Sequence, residues 1–351
     1  MKVLYLTKYS RNGASSRLRS YQYFPFLEAK GISVTVSPFF DEDYLINLYS
    51  GKKIRKPKLI QFYFKRFYIL FSIYKYDRIV IEKELFPYFF SWFEKILYLL
   101  KVKYIVDYDD AIFHNYDLSH SKLISFFLKN KINNVMKYSG CVVAGNSYLA
   151  ERARLSHAKK IVILPTVIDV DLYLSKINYD SSKVIIGWIG SPSTFKYVKN
   201  HRSVFSKLLK NPNVELHIVG ATEDLGLGDQ VKYLKWTEES EVSLITKFDI
   251  GIMPLENSLW ELGKCAYKLI QYMGCGLPVV ASAVGMNKEV VDDGVNGFLV
   301  ETEAQWLEKL YLLIEDSVLR KEFGDEGRIK VVSDYSIQKK HTVILSALVN
   351  E

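Results

Sequence analysis

The chain has 351 residues, 49% hydrophobic and 25% charged, which excludes a disordered polymer and leaves room for two domains of ordinary size. A net charge of +8 points to an anionic partner: nucleic acid, an acidic membrane or a phosphorylated small molecule. Cys141, Cys265 and Cys275 lack metal-ligand spacing and their odd number is no disulfide framework, so a reducing compartment is expected; no apolar run has spanning length, and MKVLYLTKY is too short for a signal peptide.

Residues 2–7 read as a buried strand, 10–16 as a loop carrying Gly13, 17–30 as a helix stopped by Gly31, and 32–36 as the next strand. That order makes half of a nucleotide-binding fold, although GxGxxG is absent. Arg17 and Arg19 open the helix, where they meet an anion or are ordinary surface arginines. Residues 52–76 interleave basic and aromatic side chains, and Pro57 starts a helix. Its Leu59, Phe62, Tyr63, Arg66, Ile69, Leu70 and Ile73 fall near one face, which lies in an anionic membrane interface or packs on a sheet. Residues 86–104 have the same character.

Strands at 78–82 and 104–106 deliver Glu82, Lys83, Glu84, then Asp107, Asp109, Asp110 and His114, to strand carboxyl ends. Ligands gather there in an open α/β sheet. The acids suit a helix cap or sugar hydroxyls better than a metal. A helix at 121–138 leads to a strand at 140–144, after which Asn146 caps the helix 148–155; 161–164 is one more strand.

Residues 184–189 open a second sheet and end in Gly190 and Ser191, a turn with amides and hydroxyls that receives a phosphate or simply reverses the chain. A helix at 198–209, strands at 214–219 and 231–234, and a helix at 239–247 follow. Residues 249–289 are the centre of the second half: a strand at 250–255, a helix at 262–272 ended by Gly274, Gly276 and Pro278, and a strand at 278–282. Entered at Gly263, that helix places Lys264 and Lys268 four apart on one face of its positive end. An anion between them removes the conflict. A loop running to Asn287, a strand at 298–300 and helices at 304–314, 318–332 and 337–349 complete the chain.

The motifs DIGIMPL, GKCAYKLIQYMGCGLPVVAS and VGMNKEVVDDGVNGFLV, supported by DYDDAIFH, GNSYLA, LPTVID and GWIGSPST, resemble retaining GT-B glycosyltransferases of family four. The resemblance implies an α/β GT-B fold: two Rossmann-like βαβ domains facing a cleft. It implies an acceptor domain over 1–170, a linker over 171–183, a donor domain over 184–335, and a C-terminal helix over 336–351 crossing back to the first domain. It also implies a nucleoside diphosphate sugar donor, UDP- or GDP-linked, and no required metal.

The family's two glutamates eight positions apart fall on Gly263 and Gln271. A ribose contact therefore passes to Gln271, and the sugar contact to Glu261, Glu256 or backbone amides. Lys264 and Lys268 stand for the family's cationic pair on the diphosphate. On this resemblance Lys264, Lys268, Asp109 and His114 are the catalytic candidates. Gly13, Gly190, Ser191, Glu261, Gly263, Gln271 and Asn287 face the donor, and Arg17, Arg19, Glu82, Glu84 and Asn146 the acceptor. The expected acceptor is a lipid-linked or other saccharide of envelope polysaccharide synthesis. The expected place is the cytoplasmic face of an anionic membrane, peripherally held. A nucleic-acid partner is not expected, since no RNP, zinc or helix-turn-helix signature accompanies the charge. Two rivals stay open: a sugar-nucleotide epimerase of the same fold using Asp109 or Glu84, and a non-catalytic partner in an envelope-polymer complex.

Overall fold

The computed structural model describes residues 1–49, 52, 55–180 and 182–349. Lys53 and Ile54 of the basic stretch, Ser181 of the expected linker and residues 350–351 lie outside these. The chain forms two compact units. One is Met1–Thr166 with Gly263–Cys265 and Lys340–Glu351; the other is Val167–Leu262 with Ala266–Lys339.

Each unit is built on a six-stranded sheet whose pairings are parallel. In the first, β1 (Lys2–Leu6), β2 (Ser33–Val36), β3 (Arg78–Glu82), β4 (Tyr104–Tyr108), β5 (Cys141–Ala144) and β6 (Ile161–Ile163) lie in the order β2-β1-β3-β4-β5-β6. In the second, β7 (Val184–Ile189), β8 (Val214–Val219), β9 (Val231–Leu234), β10 (Ile250–Met253), β11 (Val279–Ser282) and β12 (Gly297–Val300) lie in the order β12-β11-β10-β7-β8-β9. Parallel strands covered on both faces read as unbroken apolar runs, and Val-Leu-Tyr-Leu, Ile-Val-Ile and Val-Val-Ala are such runs, fully buried. In both sheets the first strand sits inside, with later strands on either side. The order therefore reverses beside β1 and beside β7, which opens a crevice beyond their carboxyl ends.

The helices depart from the sequence expectation at three places. The helix expected over 17–30 is broken into Ala14–Arg19, a 3-10 turn Tyr21–Tyr23 and Phe24–Glu28. Pro25 has no N–H to give and its ring clashes with the carbonyl four residues back, so the turn must restart there. The helix expected over 121–138 is two, Lys122–Leu128 and Lys131–Tyr138, separated at Asn130. The helix expected over 262–272 does not start at Gly263. A short helix ends at Leu262, and a new one, Tyr267–Gly274, begins after Ala266, whose φ of 48° is left-handed. Lys264 thus precedes the helix that carries Lys268, and the two share no helix face.

The long basic helix Lys56–Leu70 starts where Pro57 indicated, but its inward face is the one offered to the membrane in the sequence reading. Phe62 packs on the rings of Phe39, Phe40 and Tyr44. The buried Arg66 guanidinium donates to the carbonyls of Thr7 and Ser37 at 2.8 and 3.0 Å. A buried charge satisfied by carbonyls belongs to a core, not to an interface. The apolar residues left outside are Ile60, Phe64, Phe67, Tyr68 and Phe71. The C-terminal helix Ile337–Val349 enters the first unit from Lys340, where His341 stacks on Phe26 and the Leu348 carbonyl accepts from Arg78.

In the second unit the helix Ser317–Asp334 crosses Tyr267–Gly274 and the turn that follows it through glycine. A Cβ on Gly324 would stand 2.0 Å from the Gly276 carbonyl oxygen, a backbone atom that cannot step aside. Gly324→Ala is expected to cost about 1–3 kcal/mol as overpacking, read as a lower urea midpoint at unchanged slope.

Candidate functional site

Beyond β1, β3 and β4 the first unit gathers charge. Glu82 ends β3 almost fully buried. Its carboxylate accepts from the Lys8 amide at 3.0 Å and from the Ser16 hydroxyl at 2.6 Å. Ser15 Oγ lies between Glu82 Oε1, at 3.0 Å, and Asp109 Oδ2, at 2.5 Å. Lys83 Nζ meets Asp109 Oδ1 at 2.8 Å and Asp110 at 3.7 Å. Asp110 in turn binds Lys264 Nζ at 3.1 Å, within the same unit.

Burial, with the Asp109 charge beside it, raises the Glu82 carboxyl. Burial also acts to raise Asp109, but the Lys83 ammonium and the Lys83 and Ser15 hydrogen bonds outweigh it and hold Asp109 below the usual carboxylate range. Burial and the neighbouring Lys83 pull the Lys8 ammonium down. The two carboxyl groups joined by Ser15 are therefore pushed apart in acidity, and Glu82 is the one suited to hold a proton. Lys83 sits in the left-handed region at φ 68°, a strain of about 1–2 kcal/mol for a residue with a Cβ.

The other first-unit candidates are held in internal contacts. Arg19 grips Asp107 with two hydrogen bonds, at 2.6 and 2.9 Å, and the Leu164 carbonyl at 2.7 Å, so it braces β4 against the chain after β6. Arg17 is buried. Glu84 accepts from Tyr116 and Lys131. His114 lies between Asp117, at 2.8 Å, and the Tyr148 hydroxyl, at 2.9 Å. Asn146 caps the helix Ser147–Leu155 and donates to the Lys264 carbonyl at 3.0 Å. Gly13 precedes the first helix, where a Cβ would strike the Tyr9 side chain. Gly263 has the same constraint from Ala111, and the Cys265 thiol donates to the Asp109 carbonyl at 3.0 Å. The segment Gly263–Cys265 is kept out of a helix by these contacts.

In the second unit the groups beyond β7 and β10 are of another kind. Trp188, buried on β7, carries Lys268 Nζ at 5.8 Å from its ring centre. Lys268 stands in the first turn of the helix Tyr267–Gly274, at its positive end. The turn after β7 passes so close to Trp188 that only glycine fits at 190. The Gly190 amide is spent on Val219 at 3.0 Å, but the Ser191 amide has no acceptor among the described residues. The hydroxyls of Ser191, Ser193 and Thr194 cluster beside it. The Tyr272 hydroxyl accepts from the Ile189 amide at 2.9 Å and fixes the end of β7.

Glu261 is buried and takes the hydroxyls of Tyr197 and Ser258. Gln271 is buried too, its amide given to Glu241 at 2.7 Å and Tyr173 at 3.0 Å. Asn287 ties its loop to the Ser282 carbonyl at 2.9 Å. Among the described residues no group of three or more His, Cys, Asp or Glu is placed to hold a metal ion.

Sequence reasoning singled out neither Lys8, Ser15 and Ser16 nor Trp188 and Tyr197. The available signal was position: each of the first four lies where the chain leaves a strand that borders a reversal of strand order, or on that strand. Asp109→Asn leaves the buried Lys83 charge with only the more distant Asp110, at 3.7 Å. It is expected to cost about 3–5 kcal/mol in urea unfolding, and Lys83→Met with Asp109→Leu to restore most of it.

Residues 183–316 match the family described as glycosyl transferases group 1. Among curated proteins the chain is 26% identical to spore coat protein SA of Bacillus subtilis over 175 residues, 48% of this chain and 40% of that one. It is 23% identical to N-acetyl-alpha-D-glucosaminyl L-malate synthase of Bacillus anthracis over 46% of this chain and 43% of that one. The matched stretch thus spans less than half the length of these relatives. Among solved structures, Anabaena HepE in complex with UDP-glucose superposes with a TM-score of 0.75, 16% identity and full coverage of both chains. WaaG, a glycosyltransferase involved in lipopolysaccharide biosynthesis, superposes with a TM-score of 0.70, 14% identity and full coverage of both. The chain has the GT-B fold, and the part of it that matches the glycosyl transferases group 1 family is residues 183–316.

Proposed function

We propose that this chain transfers a sugar from a nucleoside diphosphate sugar, with retention at the anomeric carbon, to a lipid-linked saccharide. The observation that carries the reading is the set Trp188, Lys268, Ser191 and the start of the helix Tyr267–Gly274 beyond β7, inside the segment that matches the glycosyltransferase family. These are a cation, an unspent amide, hydroxyls and a positive helix end, which suit a diphosphate. The solved complex of HepE with UDP-glucose, on the same fold, supports the donor class.

In the reaction the bond from the anomeric carbon to the diphosphate oxygen breaks and a bond to the acceptor oxygen forms on the same face. The acceptor proton passes to the departing phosphate. Lys268 and the Ser191 amide stabilise the charge that the diphosphate gains, a preorganised contribution that water would not supply. Lys264 is held by Asp110 within the first unit. Asp109 and Glu82, with Lys83, are assigned to the acceptor hydroxyls, and His114 to orienting the loop that follows β4. Gln271 and Glu261, engaged inside the second unit, act by fixing its loops. No described helix is long and apolar enough to cross a membrane. The outer face of Lys56–Leu70, aromatic and lysine-bearing, supports peripheral attachment to the inner face of an anionic membrane.

Lys268→Ala is expected to lower acceptor-dependent release of nucleoside diphosphate from UDP- or GDP-sugars by about 10²–10³-fold, with the melting temperature little changed. Lys264→Ala should also lower turnover. Undiminished turnover in Lys268→Ala would falsify the assignment.

A further inference from the structure

The first unit carries a continuous aromatic strip that its core does not use. Phe71 on the basic helix meets Phe67 at 5.2 Å, and Phe67 meets Phe93 on the helix Trp92–Leu99 at 5.9 Å. From Phe93 the rings run to Phe89 and Trp92; Trp92 stacks on Phe90 at 4.6 Å, and Phe90 reaches Phe127 on the helix Lys122–Leu128 at 6.4 Å. Phe71, Trp92, Phe127 and Phe126 are 57–75% exposed. An apolar strip of this extent marks an interaction surface.

The charges along it are mostly of one sign, with acids at its margins: Asp41 and Asp43, which pair with Lys58, and the exposed Asp77. Across 55–76, 88–104 and 119–131 the sole acid is Glu94, which is buried, while Lys56, Lys65, Lys75, Lys95, Lys122 and Lys129 are exposed. Exposed aromatic rings among cations, with no exposed acid within these stretches, are complementary to an acidic bilayer and poorly suited to a soluble basic or neutral partner.

At the Trp92 end lies a cavity of 220 Å³ lined by Phe90, Trp92, Lys95, Phe127, Asn130 and Asn134 among others. Lys131, also on its wall, is spent on Glu84 and the Phe86 carbonyl. Lys95 has no ion pair, and the Asn130 and Asn134 amides no side-chain hydrogen bond, among the described residues. One cation and two amides thus line a recess whose rim is aromatic. Phosphate oxygens take that donor set, and acyl chains take that rim.

We infer that this recess binds the phosphate of an anionic glycerophospholipid within the bilayer while the strip from Phe71 to Phe126 lies among the acyl chains. The site deepens the membrane partner of the proposed function and rests on that reading, but it uses no residue of the donor site.

The test is flotation of the full chain with phosphatidylcholine vesicles with and without phosphatidylglycerol. The chain should float only with phosphatidylglycerol. Trp92→Ser with Phe126→Ser, both exposed positions, and Lys95→Glu should each lower the bound fraction about tenfold. Asn130→Ala with Asn134→Ala should lower it at unchanged charge, and Lys122→Glu, outside the recess, much less than Lys95→Glu. Equal losses from Lys95→Glu and Lys122→Glu would mean diffuse attraction and overturn the recess. Equal flotation without phosphatidylglycerol overturns it as well. Excess free glycerol phosphate should lower the bound fraction, and flotation undiminished by it would overturn the recess. A lipid-free dimer in sedimentation, dissociated by the double serine variant, would make the strip a self-association face and sink the proposal. UDP-glucose calorimetry on the same variants should be unchanged. Absent nucleotide binding with normal flotation removes the donor reading and leaves this one standing.

Discussion

A parallel sheet presents all its strand ends at one edge, and what stands there depends on how the chain enters the sheet. In both units the first strand lies inside, so later strands add on either side and the connections part beside it. The gap this leaves cannot be filled by the helices that cover the faces. It is lined instead by the residues just past the strand ends: Lys8, Glu82, Lys83 and Asp109 in one unit, Ser191 and the approach to Lys268 in the other. The proposed chemistry is assigned to these two reversals, where the strand order parts the connections.

The two gaps are charged in opposite ways. In the first unit, carboxylates and ammonium groups neutralise one another, with Ser15 linking a raised carboxyl to a lowered one. Such a network suits a neutral polyhydroxyl ligand, which exchanges hydrogen bonds without adding charge. In the second unit the nearby carboxylates are already occupied: Glu241 by Gln271, Tyr173 and Trp236, Glu261 by Tyr197 and Ser258, Asp249 by Lys176. The groups beside Trp188 are left with a positive balance, the condition for holding a diphosphate.

The strands were readable from apolar residues gathered between turn residues, and the twelve described strands stand where they were expected, although β2 (SVTV), β8 (VELHIV) and β9 (VKYL) carry polar residues among the apolar ones. Helices were harder, since tertiary contacts decide where they break. Pro25 was visible in the sequence and should have ended the first long helix. The interruption at Gly263–Ala266 had only a glycine to announce it, because it depends on Ala111, Asp109 and Asn146, far away in sequence. The burial of Gln271 depends on Glu241, and that of the Arg66 face on two distant carbonyls. Helical spacing finds an amphipathic face but not which side meets the core when both sides carry aromatic rings. The charged group at Glu82 and Asp109 was half legible: the acids follow strands, but Lys8 and the two serines join them only through strand order.

Hydrogen exchange of the full chain with and without UDP-glucose reads out where the diphosphate is held. Exchange should slow at Ser191–Thr194 and at the start of the helix Tyr267–Gly274, with the Glu82–Asp109 group little affected by nucleotide alone. Slowing confined to the first unit, or none at either second-unit segment at saturating nucleotide, would contradict this placement.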